Sequence, residues 1–572
     1  MQNKSSKIDS IRHSLAHLLA MAVLKKFPKA KLGIGPVIEN GFYYDFILPR
    51  SISPDDLKEF EKTIRELITE KLDFIGEKLT PQKAKKIFAG QTFKLDLLKE
   101  FVKEKRPLTG YYTGKFFDLC KGGHVKNTSE IDPDGLHLTK IAGAYWRGSE
   151  KNPQMTRIYG VAFEHKQDLE EYIKLQQEIE KRDHRILGEK LDLFSQHGIA
   201  PGAIFWHPKG MVLWRVLEAF IREKLDASGY GEISTPVMVK KEVFEKSGHW
   251  THFREHLFTL KVDDEDYALK PMNCPESTYI YASRLRSYRN LPLRYSEVTD
   301  KLHRNELSGT LGGLFRVRQM SQDDAHIYCT PDQIETEINS LLNLIQEVYK
   351  KFDIPVSFAL ATKPDKAMGS PALWKKAETT LEAIIKKSGK PFIVKEKDGA
   401  FYGPKIDIHI KDALGRDWQL ATIQLDFQLA EKFDLSYTNE GGEKERPIVI
   451  HRAVFGTFER FLGILIEHYA GAFPFWFSPV QVAILAVNDK VFDYCEEIRK
   501  ALAEKGIRVS LNKENETIGK KIRETEMQKI PYMLIIGEKE KAAGMVSVRE
   551  RGAGDKGQMP LDNFLTEIML KL

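Results

Sequence analysis

A chain of 572 residues with 42% hydrophobic and 29% charged content has an ordinary globular composition, and its length suits about three or four domains rather than one core. A net charge of +6 and a pI near 8.7 permit a polyanionic partner without requiring one. Four widely separated cysteines, Cys120, Cys274, Cys329 and Cys495, exclude a disulfide scaffold. The early apolar run LAHLLAMAVL is short, carries His17 and is followed by Lys25 and Lys26, which excludes a cleaved signal or a membrane span. The expectation is a soluble cytoplasmic protein with no membrane contact.

Residues 8 to 26 read as a buried helix whose His13 and His17, four positions apart, point the same way. Ser14, Leu15 and Ala16 between them rule out the glutamate of a zinc-protease helix. Taken alone, the pair suits hydrogen-bonded core histidines as well as a site. A second helix is expected over 54 to 71, with strands at GFYYDF and MTRIYGVAF, making residues 1–170 one α+β unit. From Lys166 to about Leu193 the chain is charged and helical, so 171–197 reads as a helical linker. Over 198–478, LRYSEV, GLFRVRQM and KIDIHI occur as separate strands without βα alternation, which favours an antiparallel sheet. Residues 479–572 alternate VAILAV, IRVSLN, YMLIIG and MVSVRE with helices, as in a small α/β domain.

The stretch EVTDKLHRNELSGTLGGLFRVRQMSQDDAHIYC is the most informative. It reads as a strand ending in Arg304 and Glu306, a glycine-rich turn from Ser308 to Gly313, and a returning strand with Arg316 and Arg318. Such a hairpin can hold a triphosphate and an adenine amine at its mouth. In HRAVFGTFERFLGILIEHY, a turn at Gly456 leads into an apolar helix with Arg460 near its start, a position that calls for an anion. Each signal is weak by itself.

Together these segments resemble motifs 2 and 3 of class II aminoacyl-tRNA synthetases, and GYGEISTPVM, with Pro236, resembles motif 1. KPMNCP, HRNELSG, QDDAHIYC, FYGPKID, WQLATIQLDF and HRAVFGTFERF, in that order, are similar to threonyl-tRNA synthetases from about residue 8 onward. The chain departs from the family pattern at Glu276 and Ser277, at Gly312 and at Gln319, and the resemblance leads to the expectation of a form without the ubiquitin-like domain many members carry before the editing domain.

The resemblance implies an α+β multidomain architecture: an editing domain over 1–170, a class II antiparallel-sheet catalytic domain over 198–478 and an α/β anticodon-binding domain over 479–572. It implies ATP-dependent ligation of threonine to its tRNA, with magnesium accompanying ATP, in a homodimer whose interface motif 1 builds. Cys274, His326 and His451 match the family's zinc ligands, and three protein ligands leave an open coordination position. Asp324, Tyr402 and Gln424 would line the threonine pocket. Arg304 would meet the α-phosphate, Arg316 and Arg460 the γ-phosphate and Glu306 the adenine amine, with Lys405 and Gln419 assisting. His249 resembles the residue that helps deprotonate the terminal ribose of the tRNA, with a plain surface histidine as the alternative. Asn515, Arg523, Glu540 and Arg549 match anticodon-contacting positions.

Threonine can offer a metal its amine and hydroxyl; serine keeps both groups, so selection at activation is incomplete. A hydrolytic site is therefore expected. CKGGH repeats the four-residue offset with Cys120 and His124, and the two pairs resemble the HxxxH and CxxxH motifs of threonyl editing domains, with Tyr44, Lys94 and Asp118 as neighbours. Four such side chains suit a metal or a water held by hydrogen bonds, and this choice stays open. A synthetase for another amino acid is disfavoured by the three ligand residues. An RNA-binding regulator that charges nothing is disfavoured by the three arginines.

Overall fold

The computed structural model describes residues 6–572, apart from the side chains at 299 and 300. The chain forms two compact units, one ending at Gln177 and the other beginning at Glu178.

In the first unit the helix Lys7–Lys26 starts where Ser6 Oγ accepts the Asp9 N–H (3.2 Å). Leu15, Leu18, Leu19, Ala22 and Val23 bury it nearly all round, as an apolar helix without a polar face requires. It packs with the helix Pro54–Thr69 on a sheet in which Gly41–Ile47 and Leu136–Tyr145 flank Gln154–Ala162, all antiparallel. Phe42, Phe46, Phe60, Ile64 and Ile158 fill the layer between. A smaller sheet of Phe74–Lys78, Thr109–Thr113 and Phe116–Leu119 carries the chain to Cys120.

The expected linker does not hang free. Its helix breaks at Asp183, whose side chain caps the Arg185 N–H (2.8 Å), giving Lys166–Arg182 and His184–Lys190. Leu187, Leu191 and Leu193 then enter the core of the second unit.

That core lies under an eight-stranded sheet in the order 231–232, 293–303, 319–329, 448–453, 417–426, 405–411, 356–361 and 392–395. Its pairs are antiparallel except the first and the last. Alternation does the sorting. Ile327, Ile450, Ile423 and Ile406 face the core shared with helices such as Ile334–Lys351 and Phe458–His468, while His326, His451, Gln424 and Lys405 alternate to the opposite face. The register places His326 opposite His451, His451 opposite Gln424 and Gln424 opposite Lys405. Four residues remote in sequence thus stand in one row.

One expected strand is shorter than its sequence suggests. GLFRVRQM was read as strand throughout, but the returning strand begins at Gln319 and the outgoing one ends at His303. Residues 304–318 are loop because Gly313, at φ +55°, turns the backbone where other residues are strained, and Gly312 N–H closes on Arg316 O (3.2 Å). Arg304, Glu306, Arg316 and Arg318 therefore sit on a loop rather than on strand ends.

The C-terminal sheet has Val509–Asn512, Val482–Ala486 and Tyr532–Ile536 in parallel, then Met545–Glu550 and Gly554–Pro560 antiparallel, with helices Phe492–Glu504, Ile518–Met527 and Leu561–Met569 around it. The expected βα alternation holds for the first three strands, and a hairpin completes the sheet.

Candidate active sites

In the second unit the polar row opens onto a cavity of about 490 Å³ whose lining includes Cys274, Arg304, Asp324, His326, Tyr402, Lys405, Gln424 and His451. Cys274 begins the helix Cys274–Ala282, and its thiol and the His326 and His451 rings present ligand atoms within 4.8 Å of one another. His326 is 1% exposed, burial draws its pKa down to about 4, and neither ring nitrogen has a hydrogen-bond partner. A buried neutral imidazole left unpartnered is costly unless an electrophile takes its lone pair. His451 Nε2 lies 3.1 Å from Asp426 Oδ2; since a carboxylate accepts, the other nitrogen is left for a ligand. One sulfur and two imidazoles form a donor set that fits zinc. Burial, with Asp324, Glu276 and Asp426 nearby, pushes the Cys274 thiol well up, a tendency a bound cation would reverse.

Around this triad Asn273 Nδ2 donates to Asp324 Oδ2 (3.0 Å), and the Tyr402 hydroxyl donates to Gln424. Lys405 Nζ bonds Asp407 Oδ2 and Gln419 Nε2 bonds Asp407 Oδ1, both at 2.7 Å, so one fully buried carboxylate aims two of the expected residues. Asp407, Asp426 and Asn273 escaped the sequence reading; DIHI and LDF look like plain strand, and the signal, an acidic residue on a strand's polar face, is weak.

The arginines form a second cluster, continuous with the cavity through Arg304. Glu306, 6% exposed, stands 3.0 Å from Arg304 Nε and 2.9 Å from Arg316 Nη2, so here it faces the two arginines it was expected to accompany. Thr457 Oγ1 caps the helix Phe458–His468, and Arg460 in its first turn donates through Nε to Phe315 O (3.0 Å). Desolvation and mutual repulsion lower the pKa of Arg460, and desolvation with the charge of Arg316 lowers that of Arg304. Cations this close suit a polyanion.

His249 is no surface residue. It is 2% exposed, 2.8 Å from Ser247 Oγ and 3.4 Å from Met272 Sδ, and burial lowers its pKa to about 4. It touches Met272 and Phe401, which line the cavity, and stands outside the lining itself. Of the departures, Glu276 is buried with both oxygens unpartnered, which raises its pKa to about 8, and Ser277 Oγ lies 2.8 Å from the Tyr328 hydroxyl. Gly312 lies in the 304–318 loop and Gln319 opens the returning strand.

In the first unit a cavity of about 450 Å³ is lined by His13, His17, Tyr44, Lys94, Asp118 and Cys120. The rings of His13 and His17 lie 4.1 and 4.3 Å from that of His124, and ligand atoms of these three and of Cys120 fall within 4.8 Å of one another. Both sequence pairs therefore meet. Ser14 Oγ gives its proton to Ser10 O (2.8 Å), so the 3.3 Å contact with His124 requires Nδ1–H to donate. His124 Nε2 then faces the Cys120 thiol at 3.1 Å as an acceptor. Asp118, 2% exposed, accepts from the Tyr44 hydroxyl (2.5 Å) and pairs with Lys94 Nζ (2.5 Å). Burial lowers the pKa of all three imidazoles and raises that of the thiol to about 12, leaving the cluster uncharged at neutral pH.

Of the expected anticodon residues, Asn515 and Arg523 are exposed and Arg549 Nη2 lies 3.8 Å from Glu526. Glu540 is already engaged. It accepts the Gly537 N–H (2.9 Å) and Gln558 Nε2 (2.5 Å), capping the helix Glu538–Ala543.

Three family models match parts of the chain: residues 258–469 match the tRNA synthetase class II core domain (G, H, P, S and T), residues 481–570 an anticodon binding domain, and residues 108–159 the threonyl and alanyl tRNA synthetase second additional domain. The threonine–tRNA ligase of Carboxydothermus hydrogenoformans is 50% identical over 99% of this chain and 89% of its own length, and that of Acetivibrio thermocellus 47% identical over 98% and 88%. A crystal structure titled as the RNA binding domain of threonyl-tRNA synthetase from Cryptosporidium parvum is 38% identical, covers 68% of this chain and 98% of that one, and superposes with a TM-score of 0.66. The chain belongs to the threonine–tRNA ligase family.

Proposed function

We propose that this chain activates threonine with ATP, transfers it to its tRNA and hydrolyses mischarged seryl-tRNA at a second site. The observation that carries the reading is the row His326, His451 and Gln424 beside Cys274 and Asp324, which pairs an open metal-ligand triad with a pocket for an amine and a hydroxyl. A zinc ion held by Cys274, His326 and His451 would supply Lewis-acid contact for those two groups. Asp324, steadied by Asn273, neutralises the substrate amine, and Gln424, paired with Tyr402, bounds the pocket. Valine would leave these buried polar groups unpaired and is rejected strongly.

Activation is attack of the threonine carboxylate on the α-phosphate, an anion on an anion, so positioning and charge neutralisation dominate. Arg304 reaches into the cavity and takes the α-phosphate charge, while Arg316 and Arg460 hold the far end of the magnesium-bound triphosphate. The triphosphate, in turn, relieves the repulsion among the arginines. Lys405, fixed by Asp407, stands where a carboxylate can meet it. A homodimer built on the motif 1 segment, with its short parallel strand Gly231–Glu232, accompanies this reading, and no described helix is long and apolar enough to cross a membrane.

Serine lacks only a methyl group, worth about 1–3 kcal/mol of discrimination, so it is activated too. The cluster of His13, His17, Cys120 and His124 offers neutral imidazole nitrogens to take a proton from water, while Lys94, Asp118 and Tyr44 orient the substrate. ATP–pyrophosphate exchange with each amino acid tests the activation step on which the reading rests. Threonine should support it best and serine weakly; exchange with neither would overturn it.

A further inference from the structure

The strongest feature outside both sites is His184, the first residue of the helix His184–Lys190. Its ring is 3% exposed and both nitrogens are engaged. Nδ1 lies 2.7 Å from Glu467 Oε1, and because a carboxylate accepts, Nδ1 carries the proton. Nε2 is then free to accept the Leu314 N–H at 3.0 Å. Asp183, His184 and Glu467 have the residue types of a metal site, but with both ring nitrogens bonded they do not form one.

What His184 joins is informative. Leu314 lies two residues before Arg316, and Glu467 stands in the last turn of the helix whose first turn carries Arg460. Between them Phe315 packs its ring 4.1 Å from the imidazole and offers its carbonyl to Arg460 Nε (3.0 Å). The contact is tight: a Cβ at Gly313 would fall 2.2 Å from Nε2, so the loop passes against the ring only with glycine there. The second oxygen of Glu467 is taken by Arg416, whose guanidinium lies 5.3 Å over Phe315.

We propose that His184 is a positioning residue for ATP: through one tautomer it ties the loop bearing Arg316 to the helix bearing Arg460 and sets the distance between the two arginines. The inference rests on the reading of these arginines as phosphate ligands. It acts through the hydrogen bond to Leu314, which separates it from a merely structural role.

Glutamine can reproduce the acceptor toward Leu314, and asparagine the donor toward Glu467. The backbone N–H of residue 184, which donates to Glu467 Oε1 at 3.2 Å, keeps every variant linked to the helix, so the bond to Leu314 decides the outcome. Full-length H184A, H184Q and H184N would be compared by threonine-dependent exchange and by calorimetric titration of magnesium-ATP without amino acid. Expected is a rise of about tenfold in KM and Kd for ATP in H184A and H184N, the scale of one lost buried hydrogen bond. KM for threonine should move by less than about twofold, and H184Q should recover most of the ATP affinity. Equal ATP affinities in H184Q and H184N, or an ATP Kd unmoved in H184A, would overturn the proposal. If the parent bound magnesium-ATP without any threonine-dependent exchange, the functional reading would fail while the titration still decided the role of His184.

Discussion

Asp426 Oδ2 lies 3.1 Å from Nε2 of His451, and Asp426 Oδ1 is fixed by the N–H groups of Gln428 (2.6 Å) and Leu429 (3.0 Å). The carboxylate therefore selects the His451 tautomer and holds the ring in place. Replacing Asp426 by asparagine should weaken zinc binding by roughly 10–100-fold, the usual cost of losing such a partner. Competition with a chromogenic chelator measures it, and unchanged affinity would remove Asp426 from the metal site. Cys274→Ser should lose metal in the same assay and threonine activation in the exchange assay.

Arg304→Ala should lower threonine activation by about 3 kcal/mol, the order seen when a preorganised partner of transition-state charge is removed. Exchange kinetics give the value. A loss confined to tRNA affinity would contradict the assignment.

His13→Ala combined with His17→Ala should leave threonine charging near the parent level and let seryl-tRNA accumulate. The two candidate cavities lie in separate compact units, so on the proposed reading synthesis and hydrolysis can fail independently. Deacylation of preformed seryl-tRNA is the measurement. A parental rate in the double variant would make the pair structural.

Glu459 is buried, accepts the Ser321 N–H at 3.0 Å, and burial raises its pKa from 4.5 to about 8. The folded chain keeps this proton where the unfolded chain has lost it, so stability falls as pH rises from about 4.5 to about 8. Glu459→Gln never ionises. Its melting temperature relative to the parent should climb between about pH 5 and about pH 9; a constant difference across that range would show that the carboxyl does not titrate on unfolding.

Arg523→Ala should raise KM for tRNA in charging while exchange stays parental, because the side chain is exposed on the helix Ile518–Met527 and touches neither cavity. A point change is the better probe than deletion of residues 479–572. Arg508 donates to Trp476 O and Ser478 O, and Arg551 to Phe473 O, so cutting at 479 would strip bonds from the preceding segment. Exchange falling with charging would count against the assignment.

What the sequence determined alone is local. The four-residue offsets of His13 and His17 and of Cys120 and His124, the glycine turn before Arg460, and the change from separate strands to βα alternation near 479 depend on neighbours along the chain, and they read correctly. The resemblance added Cys274, His326 and His451 as a set, which no spacing rule could have assembled. Tertiary structure alone decided the rest. It put His326, His451, Gln424 and Lys405 in one row, buried His249, turned Glu306 toward two arginines, engaged Glu540 as a cap, and supplied Asp407, Asp426 and His184 as supports. The physical reason is that strand register and burial are set by hydrogen bonds and packing between segments tens to hundreds of residues apart. A side chain's spacing along the chain records its own helix or strand but not the partner across the sheet.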